Sequence, residues 1–135
     1  MIQPRFMLDT NIVSDLVRNP AGAVSRHIAK LGDDGLAISI VVAAELRYGC
    51  AKRASPALTH QVETILSALE ILPLDEPADR EYARIRHELT QKGRLIGPND
   101  LLIAAHACAL GTPLVTNNLD EFSRVGGLKL ENWLE

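Results

Sequence analysis

Apolar residues recur along the chain in two rhythms, and they alternate. Arg5-Phe6-Met7-Leu8 is a short apolar run that stops at Asp9-Thr10-Asn11. It reads as a buried strand opening into a helix, with Asp, Thr or Asn available as the cap. Ile12, Val13, Leu16 and Val17 then follow at helical spacing until Asn19-Pro20 breaks the pattern. A second helix is predicted from about 21 to 31, and Gly32-Asp33-Asp34-Gly35 is a turn. Leu36 to Ser39 reads as the next strand. A helix follows from Ser39 or Ile40 to about Arg53, and another from about 57 to 69.

The second half repeats the scheme. Glu70 to Leu74 is a short strand. Residues 77–92 place Tyr82, Ile85 and Leu89 on one stripe, an amphipathic helix closed by Gly93. Gly97-Pro98-Asn99 starts a helix through about Leu110 that is apolar almost all round, which makes it central. Pro113 to Thr116 is a buried strand, Asn117 to Phe122 a loop or short helix, and Leu128 to Leu130 a last strand. Strands alternating with helices imply parallel pairing in a layered α/β sandwich. No repeat, low-complexity stretch or linker divides the 135 residues, so one domain is expected over 1–135.

Ligands of such sheets sit beyond the carboxyl ends of the strands. Asp9 and the Thr116-Asn117-Asn118 segment both fall there. Asp9 taken alone is an ordinary helix cap. Glu45 interrupts the apolar stretch from Ile38 to Leu46, where a carboxylate needs a partner, a proton or a metal. Arg47, two positions on, points away from it on a helix. Asp100 lies in the first turn of the most apolar helix, where the macrodipole alone favours an acid. Jointly, three acids from distant segments near strand ends would repel one another and raise each other's pKa. A divalent cation removes that conflict. All-oxygen ligation suits Mg²⁺ or Mn²⁺, which can serve phosphodiester hydrolysis.

Charge refines this picture. The chain carries 14 Lys+Arg against 17 Asp+Glu, a net charge of -3. That excludes a uniformly basic nucleic-acid coat but not a nucleic-acid enzyme with an acidic centre. Residues 1–60 hold seven basic and five acidic residues, and residues 61–135 hold seven and twelve. Arg47, Lys52 and Arg53 follow Glu45 and are candidate phosphate contacts. With aromatics at only 4%, a stacking platform for single-stranded bases is not expected.

Other chemistries find no support. Cys50 and Cys108 lack metal or disulfide spacing and read as buried free thiols. His106 reads as a core or interface histidine, and His27, His60 and His87 as surface residues. There is no G-x-S-x-G elbow, P-loop or G-x-G-x-x-G. Residues 1–10 contain Arg5 and Asp9 and no long apolar stretch, unlike a secretory leader, and no apolar run reaches membrane-span length. A cytoplasmic location is the expectation.

In order and spacing, four segments resemble the motifs of PIN-domain nucleases. They are Met7-Leu8-Asp9-Thr10-Asn11-Ile12, then Ala43 to Gly49, then Ile96 to Ala107, then Leu114 to Asn118. The tail from Glu121-Phe122 to Trp133 is similar to the VapC toxins of bacterial toxin–antitoxin pairs. The resemblance implies a PIN-like three-layer α/β/α sandwich with a mostly parallel sheet. It also implies a Mg²⁺-dependent endoribonuclease leaving 5′-phosphate and 3′-hydroxyl ends. Asp9 and Asp100 match the family's metal-binding acids, and Glu45 its second active-site acid, more loosely tied to the metal. The family's fourth acidic position falls at Asn118, with Asp120 or Glu121 as possible substitutes. Thr116 and Asn11 would orient carboxylates or water. A VapB-type antitoxin, an RNA substrate and a homodimer are the implied partners. The enteric-type members suggest initiator tRNA, cut in the anticodon loop.

Two other readings stand beside this one. Asp9-Thr10-Asn11 resembles the start of a D-x-D phosphatase motif, but Asn11 removes the second acid. A PIN-like binding module without catalysis is the other.

Overall fold

The computed structural model describes residues 3–134. Five strands form one sheet: β1 (Phe6–Leu8), β2 (Leu36–Ser39), β3 (Glu70–Leu72), β4 (Leu114–Val115) and β5 (Leu130–Glu131). Their order is β3-β2-β1-β4-β5, and every pairing is parallel. The sheet is thus fully rather than mostly parallel. Seven helices connect the strands: α1 (Thr10–Arg18), α2 (Ala23–Leu31), α3 (Ile40–Arg53), α4 (Pro56–Ser67), α5 (Ala78–Gln91), α6 (Pro98–Leu110) and α7 (Leu119–Phe122). All four residues of β2 and both of β4 are buried. A strand buried on alternate sides must be covered on both faces, which is why these segments are apolar throughout and why the sandwich has three layers.

The predicted element boundaries hold to within two or three residues, because chain punctuation sets them. Ser39 caps α3 by accepting the Val41 N–H at 3.1 Å, and Ser55 caps α4 by accepting the Leu58 N–H at 3.2 Å. Pro56 and Pro98 occupy first-turn positions, where no N–H is needed. Gly111 closes α6 at φ 66°, a left-handed conformation that costs most side chains energy.

Topology then decides where a site can form. The chain leaves β1 for β2 and β3 on one side, then returns through α5 and α6 to place β4 on β1's other side. The sheet therefore reverses its winding between β1 and β4, and a crevice opens at their carboxyl ends. Register fixes what lines it. Leu8 pairs with Val115, and the Asp9 N–H donates to the Val115 carbonyl at 2.9 Å, so Asp9 and Thr116 emerge side by side.

Packing corrects two expectations. His27 is half-buried rather than on the surface, with its ring stacked on Trp133 at 4.4 Å between centroids. Cys50 is buried, but Cys108 is only half-buried. His106 is a core residue as expected, 3% exposed, with Nδ1 2.8 Å from the Ser39 hydroxyl. Among the described residues, no helix is long and apolar enough to cross a membrane.

Candidate active site

Asp9 is the N-cap of α1 and is 4% exposed. One carboxylate oxygen accepts the Thr10 N–H at 2.8 Å, and the other accepts the Thr116 hydroxyl at 2.8 Å. Thr116 is fully buried at the end of β4, and its oxygen in turn accepts the Asn118 N–H at 3.0 Å. Burial pushes the Asp9 carboxyl above its usual range. Those hydrogen bonds oppose the rise, and the charges of Glu45 and Glu121 add to it.

Asp100 enters from the first turn of α6. Its carboxyl is pushed up to about 7, by partial burial first, then by the charge of Glu121, then by Asp9 and more weakly Glu45. Glu121 behaves oppositely. Its Oε1 accepts the Gly97 N–H at 2.6 Å and its Oε2 the Asn118 side-chain amide at 2.9 Å. The Gly97 bond is the main reason its carboxyl is held below the usual range. The crowding therefore acts unequally: it raises Asp100, while Glu121 has donors that stabilise its charge.

Glu45 approaches from the middle of α3. It is half-buried, less enclosed than its apolar neighbours predict. Its oxygens accept the Thr10 hydroxyl at 2.6 Å and the Asn99 amide at 3.4 Å. Asp9, Glu45, Asp100 and Glu121 thus come from four separate segments and sense one another's charge in one crevice.

The fold brings together Asp9, Glu45, Asp100, Thr116 and Asn118 as the sequence predicts. Asn118 orients Glu121 and Thr116. The fourth carboxylate is Glu121, three residues further on, while Asp120 is exposed. Asn11 does not orient a carboxylate: its side-chain amide donates to Asn117, because the first turn of α1 rotates it away from Asp9. Arg47 has a carboxylate partner that competes with a phosphate. It forms a two-pronged ion pair with Glu63 on α4, at 3.0 and 3.1 Å. Lys52 is exposed on the last turn of α3. Arg53 lines a groove that begins at Thr10 and Glu45 and also contains Arg18.

Two site residues, Thr10 and Asn99, had no active-site role in the sequence reading, and Glu121 stood there only beside Asp120 as a possible substitute for the fourth acid. Glu121 sits at the third position of α7, a common place for an acid. It reaches Gly97, 24 residues earlier, instead of its own helix cap.

The carboxylate set fits a hard divalent cation. Four acids with one raised to about 7 and little basic compensation form an oxygen donor set whose repulsion such an ion relieves. Among the described residues, no three or more acidic, histidine or cysteine side chains are grouped closely enough to hold a metal ion by themselves. A cation held here would keep part of its coordination for water and substrate, as Mg²⁺ commonly does.

The model of the PIN domain family matches residues 6–128. Ribonuclease VapC2 of Rickettsia felis is 41% identical over 130 residues, covering 95% of this chain and 97% of that protein. The tRNA(fMet)-specific endonuclease VapC of Shigella flexneri is 41% identical over 130 residues, covering 96% and 98%. Among solved structures, VapBC2 from Rickettsia felis bound to a promoter DNA fragment superposes with a TM-score of 0.87 at 40% identity, covering 95% of this chain and 98% of that one.

Proposed function

The chain belongs to the PIN-domain family and, within it, to the VapC ribonucleases, and from that premise we propose that the crevice between β1 and β4 is its nuclease centre. The whole chain acts as a single PIN domain and as the toxin of a VapBC pair. The convergence of Asp9, Glu45, Asp100 and Glu121, with Asp100 raised to about 7, carries this reading.

Asp9 and Asp100 would hold Mg²⁺, with Mn²⁺ able to substitute, and Glu121 and Glu45 would stand beside them. The bound cation supplies charge to set against the phosphodiester. The chain's own groups do the rest. Thr116 and the Thr10 N–H fix the Asp9 carboxylate in one orientation. Asn118 and Gly97 do the same for Glu121. Glu45, held by Thr10 and Asn99 at the open side, is placed to accept a proton from the attacking water. Arg53 and Arg18, in the groove leading from Glu45, are placed to take neighbouring phosphates.

The substrate is RNA. Two relatives, from Shigella flexneri and Salmonella typhimurium, are named as tRNA(fMet)-specific endonucleases, and initiator tRNA cut in the anticodon loop is our reading for this chain. The inhibitor is a VapB-type antitoxin whose basic side chain enters the acidic crevice. Sequencing RNA 5′ ends after brief expression tests activity, target and cut site together. We expect one dominant new 5′-phosphate end in initiator tRNA, absent with Asp100→Asn. The same end appearing with Asp100→Asn would remove Asp100 from the site.

A further inference from the structure

One aromatic ring in this protein stands apart from the others. Phe122 and Trp133 are buried, and Phe6 packs edge-on against Trp133 at 5.1 Å. The Tyr82 hydroxyl accepts from Arg86 at 2.8 Å, and that guanidinium lies over its ring. Tyr48 is 68% exposed, the most open of the large apolar side chains among the described residues. Leaving it in water forgoes the stabilisation that burying a ring provides, so its exposure calls for a reason.

Its location supplies one. Tyr48 lies one helical turn beyond Glu45 on α3, and Val41, Ala44, Glu45 and Tyr48 share one face by their spacing. That face forms one wall of a cleft of ≈ 790 Å³. Thr10, Glu45 and Asn99 stand in the same cleft, so it opens on Glu45 at the edge of the carboxylate site. Ile40, 48% exposed, and Leu102, half-buried, add apolar surface. Leu102 is notable because most of α6 around it is buried. Thr10 and Glu45 also begin the groove that holds Arg18 and Arg53. Glu45 therefore sits where an apolar cleft with one free ring meets a groove with two guanidinium groups. A nucleotide chain crossing a nuclease centre offers those two chemistries in alternation, flat bases and charged phosphates.

We propose that Tyr48 is a substrate-positioning residue: its ring stacks on a nucleobase of the RNA adjoining the scissile phosphate, which is seated in the cleft between α3 and α6. This rests on the nuclease reading above. One ring can hold one base; a run of aromatics is needed only to track several. The contact is sequence-tolerant by itself, since every base has a flat face, and Asn99 at the cleft edge adds a polar group that can read one.

The test compares wild type, Tyr48→Phe and Tyr48→Ala on an RNA hairpin containing the mapped cut site. The same hairpin is also made with a single abasic nucleotide on either side of the cut. Tyr48→Phe is expected to cleave like wild type. Tyr48→Ala should raise KM roughly 10- to 100-fold, with a smaller change in kcat. An abasic nucleotide at one flanking position should harm wild type by a similar factor and harm Tyr48→Ala little further. Normal cleavage by Tyr48→Ala overturns the proposal, as do fully multiplicative losses at every abasic position. A lower sedimenting mass for Tyr48→Ala also overturns it, by assigning the ring to contact with a second copy of the chain. Asp9→Asn serves as the separate control: if it still cleaves, the nuclease centre itself has been misplaced.

Discussion

Two neighbouring strands end alike in this protein and serve different ends. β1 runs into Asp9 and β2 runs into Ser39, and each residue caps the helix that follows. Both are buried, at 4% and 0% exposure. Ser39 has one oxygen, and that oxygen is used by the Val41 N–H and His106. Asp9 has two. One caps α1, and the other meets Thr116 in the crevice where Glu45, Asp100 and Glu121 converge. Capping explains both residues equally well. Function follows from what remains after capping: a second oxygen, a negative charge and three acidic neighbours.

Removing that surplus gives the largest expected effect. Asp9→Asn keeps a capping oxygen but loses the charge, so RNA cleavage should fall roughly 10³-fold or more, with thermal stability retained or raised. Ser39→Ala should do the reverse, costing about 1–2 kcal/mol of stability while the folded fraction stays active. Cleavage assays alongside thermal melts would separate the two. Equal losses of activity would end the contrast.

A smaller effect tests whether Asp9's second oxygen needs its partner. Thr116→Val preserves shape and removes the hydroxyl. Activity should drop roughly 10- to 100-fold, as for other groups that orient a metal-holding carboxylate. Divalent-ion affinity measured by calorimetry should fall with it.

Acid crowding on the Asp9 side also predicts a pH dependence that the Ser39 side lacks. Asp100 is raised from the ordinary 3.8 to about 7 in the fold. The native chain thus binds a proton that the unfolded chain releases between those values. With no cation bound, this group costs nothing below about pH 4, and its cost grows as pH rises to about 7. In EDTA, the melting temperature of Asp100→Asn should therefore exceed that of wild type by an amount that increases over that window. Added Mg²⁺ should shrink the difference. A difference independent of pH would contradict the crowding.

The smallest effect concerns the basic rim. Arg53→Ala should weaken RNA binding and reduce its salt dependence by about one counterion. Arg47→Ala, on the same helix but sharing its guanidinium with Glu63, should weaken RNA binding less than Arg53→Ala does.

Much of this molecule was readable from residue order. Pro98, Gly111, Ser39 and Ser55 set helix ends by backbone chemistry that is local. Glu45 stood out because an acid inside an apolar run is costly anywhere in a fold, and Asp9 and Asp100 stood out only together with it. The sequence also misled where the deciding contact was distant. Arg47 looked free until α4 brought Glu63 beside it, and His27 looked like a surface residue until Trp133 arrived from the far end of the chain. Asn118 stood in the fourth acidic position, yet the carboxylate there comes from Glu121 and is held by the Gly97 N–H.

The sequence by itself determined the alternation of strands and helices, the all-round apolar character of α6, and which acids could not rest without compensation. These depend on periodicity, capping and the cost of burying charge, and all three act over a few residues. Tertiary structure alone decided which oxygen faces which. The parallel register of β1 against β4 put Asp9 next to Thr116, and the reversal of winding opened the crevice there. It also decided that Asp100 is raised while Glu121 is held low, because each shift depends on donors and neighbours that are distant along the chain and adjacent only in the fold.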